Sequence, residues 1–153
     1  MNRAAARVTR PARGASLVEF ALVAPLLLLL MATALELSLL FWVNLTMQHA
    51  VREGARYAVT GQGGALRAQQ VAARIEQQSM GLYRRVAPVL RINQAVAPAD
   101  AAQYPQGLFG AGGDLLVLQL DGAWPVSSPL LAYWLGDVYR FTVAATMRNE
   151  AFE

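Results

Sequence analysis

Residues 17–43 read LVEFALVAPLLLLLMATALELSLLFWV. From Phe20 to Leu35 no residue carries a charge, and Glu36 is the only charge between Phe20 and Arg52. At 1.5 Å per residue, a helix from Phe20 to Val43 spans about 36 Å, enough to cross a ~30 Å hydrocarbon core with some tilt. Hydrocarbon holds no water, so backbone N–H and C=O groups must pair within the segment, which makes it helical. Pro25 lies near the start and is expected to kink the helix or to be absorbed by local adjustment. Trp42 lies near the far end, where an indole suits a membrane–water interface.

Upstream, residues 1–14 read MNRAAARVTRPARG, with four Arg (Arg3, Arg7, Arg10, Arg13), no acid and no periodic apolar face. This composition predicts a disordered basic leader. All thirteen basic residues of the chain are Arg, and beyond the leader nine Arg face ten acids. The net charge of +3 is therefore a local N-terminal property and not a nucleic-acid-binding surface. The excess of Arg before the helix, against Arg52 and Arg56 partly offset by Glu53 after it, predicts a cytoplasmic N-terminus and an outside C-terminus.

Downstream, residues 44–60 are expected to continue the helix into water as a stalk. Leu45, His49, Arg52 and Arg56 recur at helical spacing, Ala50, Ala55 and Ala58 keep the segment slim, and Gly61, Gly63 and Gly64 end it. Residues 65–80 form an amphipathic helix candidate. Ala68, Val71, Ala72, Ile75 and Ser79 mark its inner face; Arg67, Arg74 and Gln77 mark its outer one. Three strands follow from alternation, around Leu90 and Ile92, Leu116 to Leu120, and Phe141 to Met147. WPVSSPLLAYWLG, residues 124–136, reads as an apolar loop broken by two prolines. Three strands with one apolar face need a cover, and the 65–80 helix can supply it. The fold class is α+β: a long N-terminal transmembrane and stalk helix, then a short helix packed on an antiparallel sheet of about three strands. The organisation is a leader over 1–14, the helix over 15–60 and an extracytoplasmic domain over 61–153.

Several chemistries are excluded. The chain has no Cys, which removes disulfides, thiolate metal sites and a Cys nucleophile. A single His, His49, removes His-based metal clusters and places any Ser-His-Asp set on the stalk. Gly110-Ala-Gly112-Gly113 is followed by no Lys-Ser/Thr and is a turn, not a phosphate loop. Asn44-Leu-Thr46 fits a glycosylation acceptor but adjoins the membrane. Asp100, Asp114, Asp121 and Asp137 form no recognisable acid–base pair. No enzyme activity, cofactor, metal or small-molecule substrate is expected. Trp124, Tyr133 and Trp134 are either a partner-binding patch or core aromatics. Arg52, Glu53 and Arg56 are either a docking collar or i,i+4 support of an exposed helix.

Gly14-Ala-Ser-Leu-Val-Glu19-Phe20 stands between the basic leader and the apolar run. A general secretory signal carries its cleavage site after the apolar region, whereas here the small residue comes before it. Cleavage at this point removes only the leader and keeps the helix as an anchor. The arrangement resembles the processing site of type IV pilin-like proteins of the tight-adherence (Flp/Tad) system. More of the chain resembles the TadE-like minor pseudopilins of that system: SLVEFALVAPLLLLL at 16–30, AVREGARYAV at 50–59 and ATMRNE at 145–150. The middle of the chain does not share the likeness.

The resemblance implies that a prepilin peptidase cuts after Gly14, making Ala15 the first residue, Glu19 the fifth and Phe20 the sixth. It further implies a minor pilin-like subunit of a tight-adherence pilus or related secretion apparatus, held in the bacterial inner membrane and acting in pilus biogenesis or priming. Its partners would be the prepilin peptidase, a sister pseudopilin, the major Flp pilin and the inner-membrane assembly platform. The physical chemistry of the residues is compatible. Gly14 lets a protease hold extended backbone, and Glu19 lies one helical turn after Ala15, where cleavage creates an ammonium. A buried carboxylate needs such a partner; alternatively, Glu19 is a headgroup-level charge complementing the helix dipole. Glu36 has two readings as well, as an intramembrane acid pairing between subunits or as a carboxylate hydrated at the outer interface. The rival for the whole chain is an unprocessed single-pass membrane protein with an extracytoplasmic binding or sensing domain. A membrane-tethered enzyme is a more distant one.

Overall fold

The computed structural model describes residues 13–63, 66–98, 100–105 and 107–151. The leader expected over 1–14 lies outside the described residues except for Arg13 and Gly14, which open the first helix. That helix, α1, runs as one piece from Arg13 to Val59, 47 residues with Pro25 inside, so it is about 70 Å long.

The two halves of α1 differ in kind. Up to Leu39, Thr33 alone among the described side chains is buried. Leu17, Phe20, Leu22, Leu26, Leu28 and Leu35 are each more than half exposed. A run this apolar and this bare is long enough to cross a membrane. From Leu40 onward a stripe of Val43, Met47, Ala50, Val51, Ala55 and Ala58 is buried at three- and four-residue spacing. The expectation of a stalk in water over 44–60 is therefore corrected: one face of that segment is part of the domain core. The small Ala residues do not merely slim the helix; they let other elements close on it.

α2, Arg67–Gln78, packs across α1 with Ala68, Val71 and Ile75 buried, as the periodicity predicts. Gly54 permits the approach: a Cβ built there would stand 2.4 Å from Ile75 Cγ1. Arg67 is not on the outer face. It donates to the Ala58 carbonyl near the end of α1, and its guanidinium lies 5.0 Å from the Phe109 ring centroid.

The sheet has four strands in the order β2-β1-β3-β4, all antiparallel: β1 Val89–Ile92, β2 Ala95–Val96, β3 Leu115–Pro125 and β4 Val138–Arg148. Leu118 faces Ile92 on one side and Ala145 on the other; Leu120 faces Leu90 and Val143. These residues share the buried face, which α1 covers while α2 lies against α1, so the cover expected of the 65–80 helix is supplied by α1; burying each Leu contributes about 1.5–3 kcal/mol. The fourth strand exceeds the expected three. β2 is two residues long and is made by a turn at Asn93 and Gln94, both with positive φ (49° and 70°), the pattern of a tight two-residue hairpin. Asn93 Oδ1 accepts the Val117 N–H at 2.9 Å and so ties the turn to β3.

A second correction falls on residues 124–136. Trp124 and Pro125 end β3, and Pro129–Leu135 forms a helix, α3. Ser128 is its N-cap, Pro129 occupies the first turn where a missing N–H costs nothing, and Gly136 (φ 79°) closes it. At the far end of the sheet Asn149 is buried. Its side-chain amide donates to the carbonyls of Phe109 and Ala111 at 2.8 and 2.9 Å, which fixes the 107–114 loop against the end of β4.

Candidate functional site

Gly14, Ala15, Glu19 and Phe20 lie on the first two turns of α1, in helical backbone. Gly14 is exposed, and a Cβ built on it would meet no heavy atom within 4 Å. That separates it from Gly54, and from Gly122, where a Cβ would come within 2.6 Å of the Phe141 ring. Both of those glycines are required by packing. Gly14 is not, and within a helix it costs about 1 kcal/mol relative to Ala. Glu19 and Phe20 are exposed as well, and among the described residues no group pairs with Glu19. Fourteen positions separate Glu19 from Thr33, the first buried residue of α1 among the described ones, so the motif stands about 20 Å along the helix from where the domain meets it. The fold leaves it free for an outside partner.

Glu36 is placed differently. Its two carboxylate oxygens accept the backbone N–H groups of Ser127 and Ser128, at 2.5 and 2.6 Å, across 91 and 92 residues of sequence. Beside them, the Thr33 and Ser128 hydroxyls meet at 3.0 Å, and Thr33 also donates to the Leu29 carbonyl at 2.7 Å. Thr33 and Ser128 are both buried. These contacts clasp the entry to α3 onto the middle of α1. A carboxylate at two N–H groups just before a helix is favoured both by charge-assisted hydrogen bonding and by the helix dipole. The sequence offers no sign of this partner, because Glu36 and Ser127 are related only through the fold. The Ser-Pro pair and the terminal Gly136 do mark α3 itself.

The aromatic residues divide. Trp124 is half-buried against the core, whereas Tyr133 and Trp134 on α3 are exposed at 81% and 75% and meet edge to face, ring centroids 5.6 Å apart. His49, Arg52 and Arg56 are exposed on α1, and Glu53 is half-buried. On the outer face of the sheet Asp121 accepts from Gln119 (3.0 Å), Thr142 (2.7 Å) and Arg91 (2.8 Å), which together hold its carboxyl below the usual range. That cluster fastens three strands. It lies in no enclosed cleft, and among the described residues no group of His, Cys, Asp or Glu is arranged to hold a metal ion.

The family model described as TadE-like protein matches residues 14–56. The matched segment contains Gly14, Glu19, Phe20, Glu36 and the Arg52-Glu53-Gly54-Ala55-Arg56 stretch, and so covers most of α1. This part of the chain is similar to TadE-like proteins, in agreement with the resemblance carried by the sequence. Together with the bare apolar half of α1 it supports a membrane protein associated with the tight-adherence pilus. No curated protein and no solved structure matches the chain.

Proposed function

We propose that the chain is a minor pilin-like subunit of a tight-adherence pilus or related secretion apparatus, cut after Gly14 by a prepilin peptidase and acting in pilus biogenesis or priming. The observation that carries this reading is Gly14 itself. It lies in the TadE-like segment, between the Arg-rich stretch and the apolar run, and among the described residues no contact requires a glycine there. A peptidase that binds backbone closely at the cut does require one.

The chain works by assembly and not by catalysis. Its apolar half-helix lies in the inner membrane with the domain outside the cytoplasm, the orientation that the N-terminal Arg excess favours. Cutting after Gly14 frees an ammonium at Ala15, one helical turn from Glu19. Within a bundle of such helices, Glu19 has that ammonium, its own or a neighbour's, as its partner. The sister pseudopilin, the major pilin and the assembly platform are the surfaces it meets.

The test separates the two roles of the motif. Gly14→Leu is expected to leave uncut protein in the membrane, about 14 residues too long for the mature form by the position of the cut. Glu19→Ala is expected to be cut in large part yet to fail in piliation, because the charge that sets its register is gone. Gel mobility reads the first and a count of surface pili the second. Full piliation with Glu19→Ala would reduce that carboxylate to a headgroup-level helix charge, and normal cutting of Gly14→Leu would remove the processing reading.

A further inference from the structure

α3 reads Pro129-Leu-Leu-Ala-Tyr-Trp-Leu135 and contains no charged residue. Leu131 is buried, while Tyr133, Trp134, Leu135 and, just beyond, Val138 are 81%, 75%, 43% and 43% exposed. A chargeless helix that turns its aromatics outward is unusual on a domain whose sheet has a polar outer face. Its position along α1 resolves the matter. The clasp of Glu36 and Thr33 on Ser127 and Ser128 fixes the start of α3 at a known level of the anchor. Beyond it Leu37, Leu40 and Phe41 of α1 line a cleft with Leu135 and Tyr139.

That level is the edge of the bilayer. A ~30 Å hydrocarbon core takes about 20 helical residues, so a span beginning at Phe20, just past the charge of Glu19, ends near Leu39. Phe41 (70% exposed) and Trp42 (45% exposed) on α1 lie just past this limit, in the headgroup zone that aromatic rings prefer. We infer that α3 is an interfacial foot: clasped to α1 by Glu36, it lays Tyr133, Trp134 and Leu135 into the headgroup and upper acyl region of the outer leaflet, and so fixes the depth and tilt of the domain on its anchor. The occupant is lipid because α3, itself without charge, is clasped to the outer end of the exposed apolar run of α1 and lines a cleft with it, with Asp137 the first charge to follow its aromatics. The clasp also accounts for Glu36. A carboxylate at the hydrocarbon edge is costly, and two N–H donors satisfy it where water thins out.

The inference rests on the membrane-anchoring part of the proposed function, and the experiment distinguishes the two. The chain has no Cys, so single cysteines carry a nitroxide label at Tyr133→Cys, at Leu22→Cys in the anchor and at Gln69→Cys on exposed α2. Full-length protein is placed in vesicles of phosphatidylethanolamine and phosphatidylglycerol, and the label's accessibility to oxygen is compared with that to a water-soluble nickel chelate. The expected result is a ratio favouring oxygen at Leu22 and at Tyr133, and the chelate at Gln69. Adding Glu36→Ala is expected to move the Tyr133 ratio toward the Gln69 value and to leave Leu22 unchanged. A Tyr133 label as open to the chelate as Gln69, with Leu22 still in hydrocarbon, overturns the foot and leaves the anchor standing. A Leu22 label open to water overturns both. Protection at Tyr133 that disappears when protein is diluted in excess lipid assigns the patch to a second copy of the chain and overturns the lipid assignment.

Discussion

Gly54→Ala reverses the usual effect of its kind. In an ordinary helix interior, replacing Gly with Ala stabilises by about 1 kcal/mol, because Ala restricts the unfolded backbone and suits the helix. At Gly54 the added methyl would lie 2.4 Å from Cγ1 and 2.9 Å from Cδ1 of Ile75. Ile75 is fully buried, and Cγ1 is a branch of a stiff β-branched side chain, not a flexible tip. α1 and α2 must therefore separate, or Ile75 must leave its rotamer, at a cost of roughly 1–3 kcal/mol for overpacking a close-packed core. The net expectation is a loss of up to about 2 kcal/mol once the propensity gain is subtracted. Ile75→Ala alone should cost about 2–5 kcal/mol through its cavity. In the double variant the new methyl fills part of that cavity, so the losses should fall short of additive by about 1 kcal/mol or more. The assay is chemical unfolding of the full-length protein in detergent, followed by near-ultraviolet circular dichroism. A Gly54→Ala protein more stable than the parent, or strictly additive losses, would refute the close α1–α2 crossing.

Two further outcomes follow from the sheet. Val143 is 4% exposed on the buried face of β4, so Val143→Asp should lower stability by about 3 kcal/mol or more, while Thr146→Asp, on the exposed face, should be mild; equal melting shifts for the two would remove the inward–outward assignment. Thr146 is chosen over Thr142 on the same face because the Thr142 hydroxyl donates to Asp121. Asp121 has its folded pKa lowered by hydrogen bonds from Gln119, Thr142 and Arg91. Its contribution to stability is thus present above the unfolded carboxyl value and lost as pH falls through the folded one. Asp121→Asn should therefore be less stable than the parent near neutral pH, with the two melting curves converging in acid; a gap that widens toward acid contradicts the sign.

The sequence disclosed what periodicity and composition encode. The bare apolar run marked the anchor, the three- and four-residue spacing of Val71 and Ile75 marked the buried face of α2, and the alternation at Leu116, Leu118 and Leu120 marked β3 and its inward side. What it hid depends on partners distant in the chain. Residues 44–60 looked like a solvated stalk because Ala50, Ala55 and Ala58 are only weakly apolar; their burial follows from α2 and the sheet closing on them. β2 leaves no mark in the sequence because a two-residue strand has no period and its turn carries Gln94 where Gly would announce a hairpin. Pro125 and Pro129 make the segment read as a loop, although Ser128-Pro129 and Gly136 are helix-start and helix-stop signals for α3. Gly14, Ala15, Glu19 and Phe20 stand out in the sequence by their place between an Arg-rich stretch and the apolar run, and the proposed processing rests on that place. The two N–H partners of Glu36 do not stand out, since 91 residues separate Glu36 from the first of them. Asn149, seen in the sequence only as part of a C-terminal likeness, proves to hold the 107–114 loop against the sheet.

The central claim is that this chain is a processed pilin-like subunit, and the N-terminus of the protein in its native membrane tests it most directly. Membranes from the producing cells are isolated, the protein is purified without added tags at its N-terminus, and its first residues are sequenced alongside an intact mass. The account predicts a chain that begins Ala15-Ser16-Leu17-Val18-Glu19-Phe20 in a membrane-integrated protein. A mature chain that still begins at Met1, or one cut after the apolar run so that Glu19 and the anchor are lost, would contradict it.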